Sequence, residues 1–325
     1  MRTRQIHLVN RPSGMPTAAD FALREADCPD PADGEVLVEG LLMSVDPYMR
    51  TRFAAHPLEA PLLGGGIGRV LTSRHPDFRP GDTVRHLGGF QAHFCLPGDK
   101  LNRFNPDPDL PLSVYLHALG ATGMTAYGGL LEVGALKPGE QVLVSTAAGA
   151  VGSVAAQIAR LNGCRVVGLT SSDDKATWLR DDLRLDGVIN YRTQDVATAI
   201  RAAMPNGVDV YFENVGGAML DAVLPQMNVW GRIPVCGMIS TYNGGGEGVT
   251  NLFSLIYQRI RMQGFVTPDF AHLKPAFERA MTAWLKAGDI QYRETIVDGI
   301  ERAPEALIGL FDGANIGKAL VRLKG

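Results

Sequence analysis

The sequence predicts an α/β protein: a doubly wound parallel sheet accompanied by a smaller β-rich region. Three observations predict it. Gln141–Arg165 (QVLVSTAAGAVGSVAAQIARLNGCR) runs from a β-branched apolar stretch through a small-residue turn into a helically spaced segment, and then into a second strand. From Gln141 to about Val266 strand-like and helix-like stretches alternate. Residues 1–120 instead carry closely spaced short strands broken by Pro and Gly, the texture of a β-barrel-like domain.

In the first region Gly34–Gly40, Val70–Ser73, Asp82–His86 and Gln91–Cys95 read as strands, with turns at Asp77–Asp82 and Gly88–Gly89. Leu112–Leu119 and Thr125–Val133 read as helical, and Lys137–Glu140 is a turn feeding the strand Gln141–Thr146. Val151, Val154, Ala155, Ile158 and Leu161 recur at three and four, so a helix follows and stops at Asn162–Gly163. Next come a strand at Arg165–Thr170, a helix from Ser172 carrying Trp178 and Leu179, a strand at Gly187–Asn190 and a helix at Val196–Met204. Val208–Phe212 is the fourth strand, followed by Glu213–Gly217 and a helix through Met227. Gly231–Cys236 and Arg261–Val266 are the last two parallel strands, Pro275–Ala287 is an amphipathic helix, and Ala319–Leu323 returns to strand character.

The composition excludes several classes. A chain of 325 residues has room for two domains, and 46 % hydrophobic with 20 % charged residues is ordinary for a globular protein. A net charge of −3 without a basic cluster argues against nucleic acid or anionic membrane as partner. MRTRQIHLVN lacks the apolar core of a signal peptide, and no run is long enough to span a bilayer. Cys28, Cys95, Cys164 and Cys236 are dispersed, which reads as reduced, mostly buried thiols of a cytoplasmic protein.

The strand–turn–helix context turns Ala147–Gly152 (AAGAVG) into a dinucleotide site. Missing Cβ atoms let a pyrophosphate approach the backbone, and the helix N-terminus holds it. Ala147 replaces the first glycine of the usual pattern. An NAD site carries an acid at the tip of the second strand. Here the tip reads Thr170–Ser171–Ser172; Asp173 and Asp174 sit where a helix's first turn favours carboxylates. Ser171 and Lys175 suit a 2′-phosphate, so NADP is favoured over NAD, with a solvated helix charge as the plain alternative for Lys175. Ligands of such sheets lie beyond the carboxyl ends of the strands, where strand order reverses. Asn214, Gly216, Gly217 and Cys236–Tyr242 (CGMISTY) are therefore expected to face the cofactor, although Asn214 can equally cap the next helix.

Taken together, SVDPYMR (Ser44–Arg50), GGGIG (Gly64–Gly68), GMTAYGG (Gly123–Gly129), STAAGAVGS (Ser145–Ser153), NYRT (Asn190–Thr193), YFENVGG (Tyr211–Gly217), CGMISTYN (Cys236–Asn243) and NIGK (Asn315–Lys318) resemble the zinc-independent medium-chain dehydrogenase/reductases. The nearest likeness is to the prostaglandin/leukotriene, 2-alkenal and curcumin reductase group. The resemblance implies a GroES-like domain from residues 1–122 plus 294–325, with a Rossmann NADP-binding domain, 123–293, inserted. It implies NADP(H) contacts from Ala150, Val151, Gly152, Ser153, Lys175, Tyr191, Asn214, Cys236, Gly237, Met238, Ile239, Ser240, Thr241, Tyr242, Phe265, Val266, Thr267 and Asn315, and dimerisation.

Members of this group reduce the C=C bond of α,β-unsaturated ketones and aldehydes. Hydride goes to the β-carbon and leaves an enolate, so donors are needed near the carbonyl oxygen. Tyr48, Tyr242 and Tyr257 are the candidates, together with the nicotinamide ribose 2′-hydroxyl; each tyrosine has core packing as its plain alternative, and Leu255–Tyr257 reads as an ordinary apolar helix face. One departure is Thr51–Leu63 (TRFAAHPLEAPLL), shorter than in close relatives and expected to border the substrate. The loop Tyr242–Thr250 is expected to move.

No metal site is expected: His86, His93 and Cys95 read as one hairpin whose packing explains them. Gly64–Gly68 leads into a strand and makes a poor phosphate loop, and GAVGS (Gly149–Ser153) lacks nucleophile-elbow spacing. Rival readings are a quinone reductase or secondary-alcohol dehydrogenase on the same cofactor pocket and, from another class, an NADPH-binding sensor or structural protein without turnover.

Overall fold

The computed structural model describes residues 1–246 and 248–323, so Glu247 of the Tyr242–Thr250 loop and Lys324 and Gly325 of the tail, named in the expectations above, lie outside the described residues. The chain divides into two compact units, Met1–Leu116 with Glu294–Gly325, and His117–Arg293.

The first unit begins with strands β1 (Arg2–Leu8), β2 (Phe21–Asp27), β3 (Glu35–Ser44) and β4 (Ala60–Pro61). It continues with β5 (Gly66–Ser73), β6 (Thr83–His86), β7 (His93–Pro97) and β8 (Asn102–Arg103). Leu112–Leu116 is a short 3-10 turn, where a longer helix to Leu119 was expected. In the second unit, α1 (Ala121–Gly128) runs into a single wide turn, Gly129–Val133. Then come β9 (Gln141–Val144), α2 (Gly152–Leu161), β10 (Arg165–Thr170), α3 (Asp173–Thr177), β11 (Gly187–Asn190) and α4 (Val196–Ala203). They are followed by β12 (Val208–Phe212), α5 (Gly217–Val223), β13 (Met227–Val235), α6 (Ser254–Tyr257), β14 (Arg261–Gly264) and α7 (Lys274–Ala287). The tail rejoins the first unit through β15 (Glu294–Asp298), α8 (Ala303–Asp312) and β16 (Lys318–Arg322).

The six strands of the second unit lie in the order β11-β10-β9-β12-β13-β14 and pair in parallel throughout. That is the doubly wound arrangement, and strand order reverses between β9 and β12. The strands read as near-continuous apolar runs because both faces are covered: Val142, Leu143, Val144, Val166, Val167, Val210 and Phe212 are buried. The first unit holds a sheet of order β15-β16-β3-β5-β6-β8, with β7 on β3, and a small sheet β2-β1-β4.

Two expectations need correction. Met227 does not end a helix: α5 stops at Val223, Leu224–Gln226 is a 3-10 turn, and Met227 opens β13. Pro225 in that turn cannot donate an i→i−4 bond, so the helix yields although its apolar spacing continues. Nor do His86, His93 and Cys95 share a hairpin. β6 pairs with β5 and β8, while β7 pairs with β3. The intervening Gly88 closes against Phe94, whose ring carbons stand 2.6 Å from where a Cβ would be, so the strands separate to fill the core instead of pairing.

Candidate active site

The carboxyl end of β9 continues into Ser145 and a tight turn that α2 follows. Thr146 takes φ +51°, and its carbonyl accepts from Gly149 N at 2.8 Å. A Cβ on Gly152 would lie 2.3 Å from that carbonyl oxygen, so only glycine lets α2 start here. The Ala147 departure has a local reason. Its methyl sits where a Cβ on Gly168 of β10 would be 2.7 Å away, so glycine on the neighbouring strand makes room for it. The buried Ser153 hydroxyl at the helix start has no hydrogen-bond partner among the described residues. A partly exposed turn at Gly149–Val151 and an orphaned hydroxyl at a helix N-terminus fit a pyrophosphate. His117, fully buried, donates from Nε2 to the Ala150 carbonyl at 3.1 Å and holds the turn from behind. Sequence reasoning missed it, since a histidine in an apolar segment carries no local signal.

At the tip of β10, Ser172 caps α3, and Asp173 accepts from the Asn190 side chain at 2.8 Å. That acid is engaged by Asn190 within the protein. Lys175 is buried with its ammonium 3.4 Å from Ser171 Oγ. Burial first, then the nearby Arg192 guanidinium, hold its pKa below the ordinary lysine value. Two cations and a hydroxyl converging at the second strand's tip favour a dianion. Arg192 went unnoticed in NYRT because the pairing with Lys175 is spatial. Tyr191, next to it, is half-buried and packs on the apolar core beneath β10 and β12.

The turns after β12 and β13 are zipped together. Asn214 donates from its backbone N to Ser145 Oγ and from Nδ2 to Ser145 O, both at 2.8 Å. It does not cap α5: Gly216, at φ +74°, is the N-cap. Asn214 O accepts from Ile239 N at 3.1 Å, and Val215 O accepts from Ser240 N at 3.1 Å and Ser240 Oγ at 2.6 Å. Met238 stands over Gly216, and Thr241 Oγ1 donates to Met238 O at 2.8 Å. The Tyr242 hydroxyl accepts from Met238 N at 3.3 Å, which leaves its own proton available to donate. Burial, then Glu213, pushes the Cys236 thiol up to about 12, so it remains a thiol and no nucleophile. After β14, Phe265 packs on Phe212 and Phe270, and Thr267 Oγ1 lies 2.8 Å from Thr125 Oγ1. These two side chains face the protein, while Val266 is exposed.

In the first unit Tyr48 lies on the 3-10 turn Pro47–Arg52, and the Arg52 guanidinium stands 4.9 Å from its ring centre. The residue is 40 % exposed, yet desolvation around its hydroxyl, then Asp46, raises the Tyr48 pKa. Asp46 is pinned: the fully buried Lys318 ammonium bonds Asp46 Oδ1 at 3.0 Å and the Val45 carbonyl at 2.7 Å, and Ser44 Oγ donates to Asp46 Oδ2 at 2.5 Å. SVDPYMR and NIGK, remote in sequence, thus form one buried cluster. Asn315 turns its Nδ2 to the Gly317 carbonyl at 2.7 Å. In the shortened Thr51–Leu63 segment, Phe53 and Leu62 are buried in this unit's core. His86 is buried beside Phe94 and accepts from Gly88 N at 3.1 Å; burial drops its pKa to about 4. Among the described residues no group of three or more His, Cys, Asp or Glu is placed to hold a metal.

Tyr257 departs from its reading. Leu255 packs on the core, but Ile256 and Tyr257 are 66 % and 64 % exposed, so Tyr257 has neither the core packing its reading offered nor a buried site. The Tyr257 ring lies 4.7 Å from that of Phe253. Both belong to an exposed apolar surface beside β14.

Residues 4–104 match the N-terminal domain of an oxidoreductase family, and residues 150–286 match a zinc-binding dehydrogenase family. The chain is 40 % identical to an NADPH-dependent curcumin reductase of Escherichia coli, over all of this chain and 98 % of that one. It is 42 % identical to an NADP(+)-dependent 2-alkenal reductase of Nicotiana tabacum, over 98 % of this chain and 96 % of that one. The crystal structure of CurA from Vibrio vulnificus in complex with NADPH superimposes with a TM-score of 0.92, at 40 % identity and covering 99 % of both chains. With its doubly wound second unit and this likeness from end to end, the chain belongs to the zinc-independent medium-chain dehydrogenase/reductases, in the curcumin, 2-alkenal and prostaglandin reductase group.

Proposed function

We propose that the protein is an NADPH-dependent reductase of the C=C bond in α,β-unsaturated ketones and aldehydes. The observation that carries this reading is the full-length likeness to curcumin and 2-alkenal reductases. NADPH supplies the hydride. The chain's own residues bind, orient and donate. The Ala150–Ser153 turn and the N-terminus of α2 take the pyrophosphate, and Ser171, Lys175 and Arg192 take the 2′-phosphate, with Tyr191 beside it. Asn214, Cys236–Tyr242, Phe265–Thr267 and Asn315 contact the remainder, with Phe265 and Thr267 acting through their backbone. Negative charge develops on the substrate carbonyl oxygen as its β-carbon accepts hydride, so a hydroxyl donor there lowers the barrier. Tyr48 and Tyr242 are the two donors we assign. Tyr257 is the weakest of the three candidates, given its exposure with Phe253.

Steady-state assays with an enone, a quinone and a secondary alcohol test the reading. Enone-dependent NADPH oxidation is expected. Turnover of quinones alone, or NADPH binding without turnover of any substrate, contradicts it. Substituting Tyr48 or Tyr242 by Phe is expected to lower kcat on an enone by about 10- to 100-fold at the position that donates.

We also propose that the chain is a homodimer joined along β14. This edge strand is exposed along its length, and Trp230, Phe253, Ile256, Tyr257 and Met262 expose apolar surface around it. Sedimentation should give a dimer that Met262→Lys dissociates. A cytoplasmic location fits the four free cysteines, and no helix among the described residues is long and apolar enough to cross a membrane.

A further inference from the structure

The turn after β12 holds a carboxylate that no role above uses. Glu213 is fully buried. The groups that act on it are Ser145, Tyr211, the backbone of Val215 and Gly216, and the Cys236 thiol; none is a cation. Burial dominates and pushes its pKa up. A carboxylate in such a place costs stability unless N–H and O–H donors satisfy it. Here one oxygen collects them: Oε1 accepts from Ser145 Oγ at 3.2 Å, from Gly216 N at 3.0 Å and from Val215 N. Oε2 and the buried Tyr211 hydroxyl have no hydrogen-bond partner among the described residues, although Tyr211 acts on the carboxylate.

The same residue binds the third turn through its backbone. Glu213 O accepts from Cys236 N at 2.8 Å and from Gly237 N at 3.2 Å. Ser145, which sits 3.2 Å from the carboxylate, also receives the Asn214 N–H at 2.8 Å. Glu213, like its neighbour Asn214, thus ties the turn after β12 to the turns after β9 and β13, and it alone of the two does so through a buried carboxylate. Without its side chain two turn N–H groups lose their acceptor, and the Gly216 cap that shapes Asn214–Gly217 is released.

We propose that Glu213 is a positioning residue for NADPH: its carboxylate, clamped on Ser145, Val215 and Gly216, holds Asn214 and Cys236–Tyr242 in the shape that receives the cofactor. This rests on the cofactor placement proposed above. The test is NADPH titration by fluorescence, with steady-state kinetics and cofactor-free melting, on Glu213→Ala, Glu213→Gln, Ser145→Ala and Gly152→Val. Glu213→Ala should raise the Kd and KM for NADPH about tenfold or more. Glu213→Gln keeps a carbonyl acceptor and should stay within about threefold in Kd. Glu213→Ala that binds NADPH like the parent overturns the proposal, as does Glu213→Gln losing as much as Glu213→Ala. If Glu213→Ala does not fold, Ser145→Ala decides: NADPH KM should rise about fivefold, and an unchanged KM overturns the proposal. Gly152→Val separates the two readings. If it still binds NADPH, the cofactor placement and this proposal both fall; if it loses NADPH while Glu213→Ala keeps it, this proposal alone falls.

Discussion

At the amino ends of its six-stranded sheet the second unit pairs its charged side chains with one another or with the backbone; at the carboxyl ends a buried carboxylate stands without a cation and two cations converge. Arg232 of β13 bonds Glu140 at 2.5 Å, just before β9, and donates to the Gly134 carbonyl at 2.9 Å. Asp209 of β12 accepts from Gln141 N at 2.8 Å and from Asn228 Nδ2 at 2.7 Å, and Asp186 accepts from Val166 N at 2.8 Å. At the other end Ser153 Oγ and Glu213 Oε2 have no partner among the described residues, and Lys175 and Arg192 converge. The paired end locks the strands together. The carboxyl end gathers a hydroxyl and two cations on the side where ligands of such sheets bind, an arrangement that carries a stability cost, as functional sites commonly do.

Five substitutions would break or sharpen that contrast. Gly152→Val should act most strongly: its side chain collides with the Thr146 carbonyl, and NADPH affinity should fall by roughly 100-fold or more in a titration, a scale set by losing a helix-terminus phosphate site. Arg232→Ala should do the opposite at the opposite end. Breaking this mostly buried pair should cost about 2–4 kcal/mol of unfolding free energy in denaturant, with NADPH KM unchanged. Lys175→Ala should weaken NADPH by about tenfold or more but leave NADH nearly unaffected, and Arg192→Ala should do the same to a smaller degree. Equal losses for both cofactors would remove the 2′-phosphate assignment.

The smallest effect concerns pH. Burial raises the Glu213 pKa above the ordinary 4.5, so the folded protein holds this proton at pH values where the unfolded chain has released it. Ionising the buried group therefore lowers stability as pH rises above 4.5 through the folded-state pKa. Glu213→Gln removes that penalty. Without cofactor it should melt at or above the parent temperature at pH 8, and the gap should close on acidification towards 4.5. A Glu213→Gln protein clearly less stable at pH 8 would show the carboxylate to be stabilising, like Glu140.

What could be read in the chain follows from how local each signal is. β11 and β12 match their predicted limits, Gly187–Asn190 and Val208–Phe212, because a short apolar run between turn residues defines a buried parallel strand by itself. The STAAGAVGS turn was legible for the same reason, including its tolerance of Ala147, although the glycine that permits it, Gly168, lies on another strand. The β6 and β7 pairings were not legible, since which strand accepts a short β segment is decided by tertiary packing. Met227 misled because Leu220, Val223, Leu224 and Met227 keep helical spacing across Pro225. His117, Arg192, Glu213 and Lys318 act on residues brought near by the fold, so each looked like an isolated polar residue in an apolar or loop segment.

The central claim, hydride delivery to the β-carbon of an enone, is tested most directly by isotope transfer. The protein is given an α,β-unsaturated ketone and NADPH deuterated at the transferable nicotinamide position, and the product is examined by NMR. The account predicts a saturated ketone with deuterium on the β-carbon. Deuterium on the former carbonyl carbon of an allylic alcohol, or no deuterium transfer from NADPH, would contradict it.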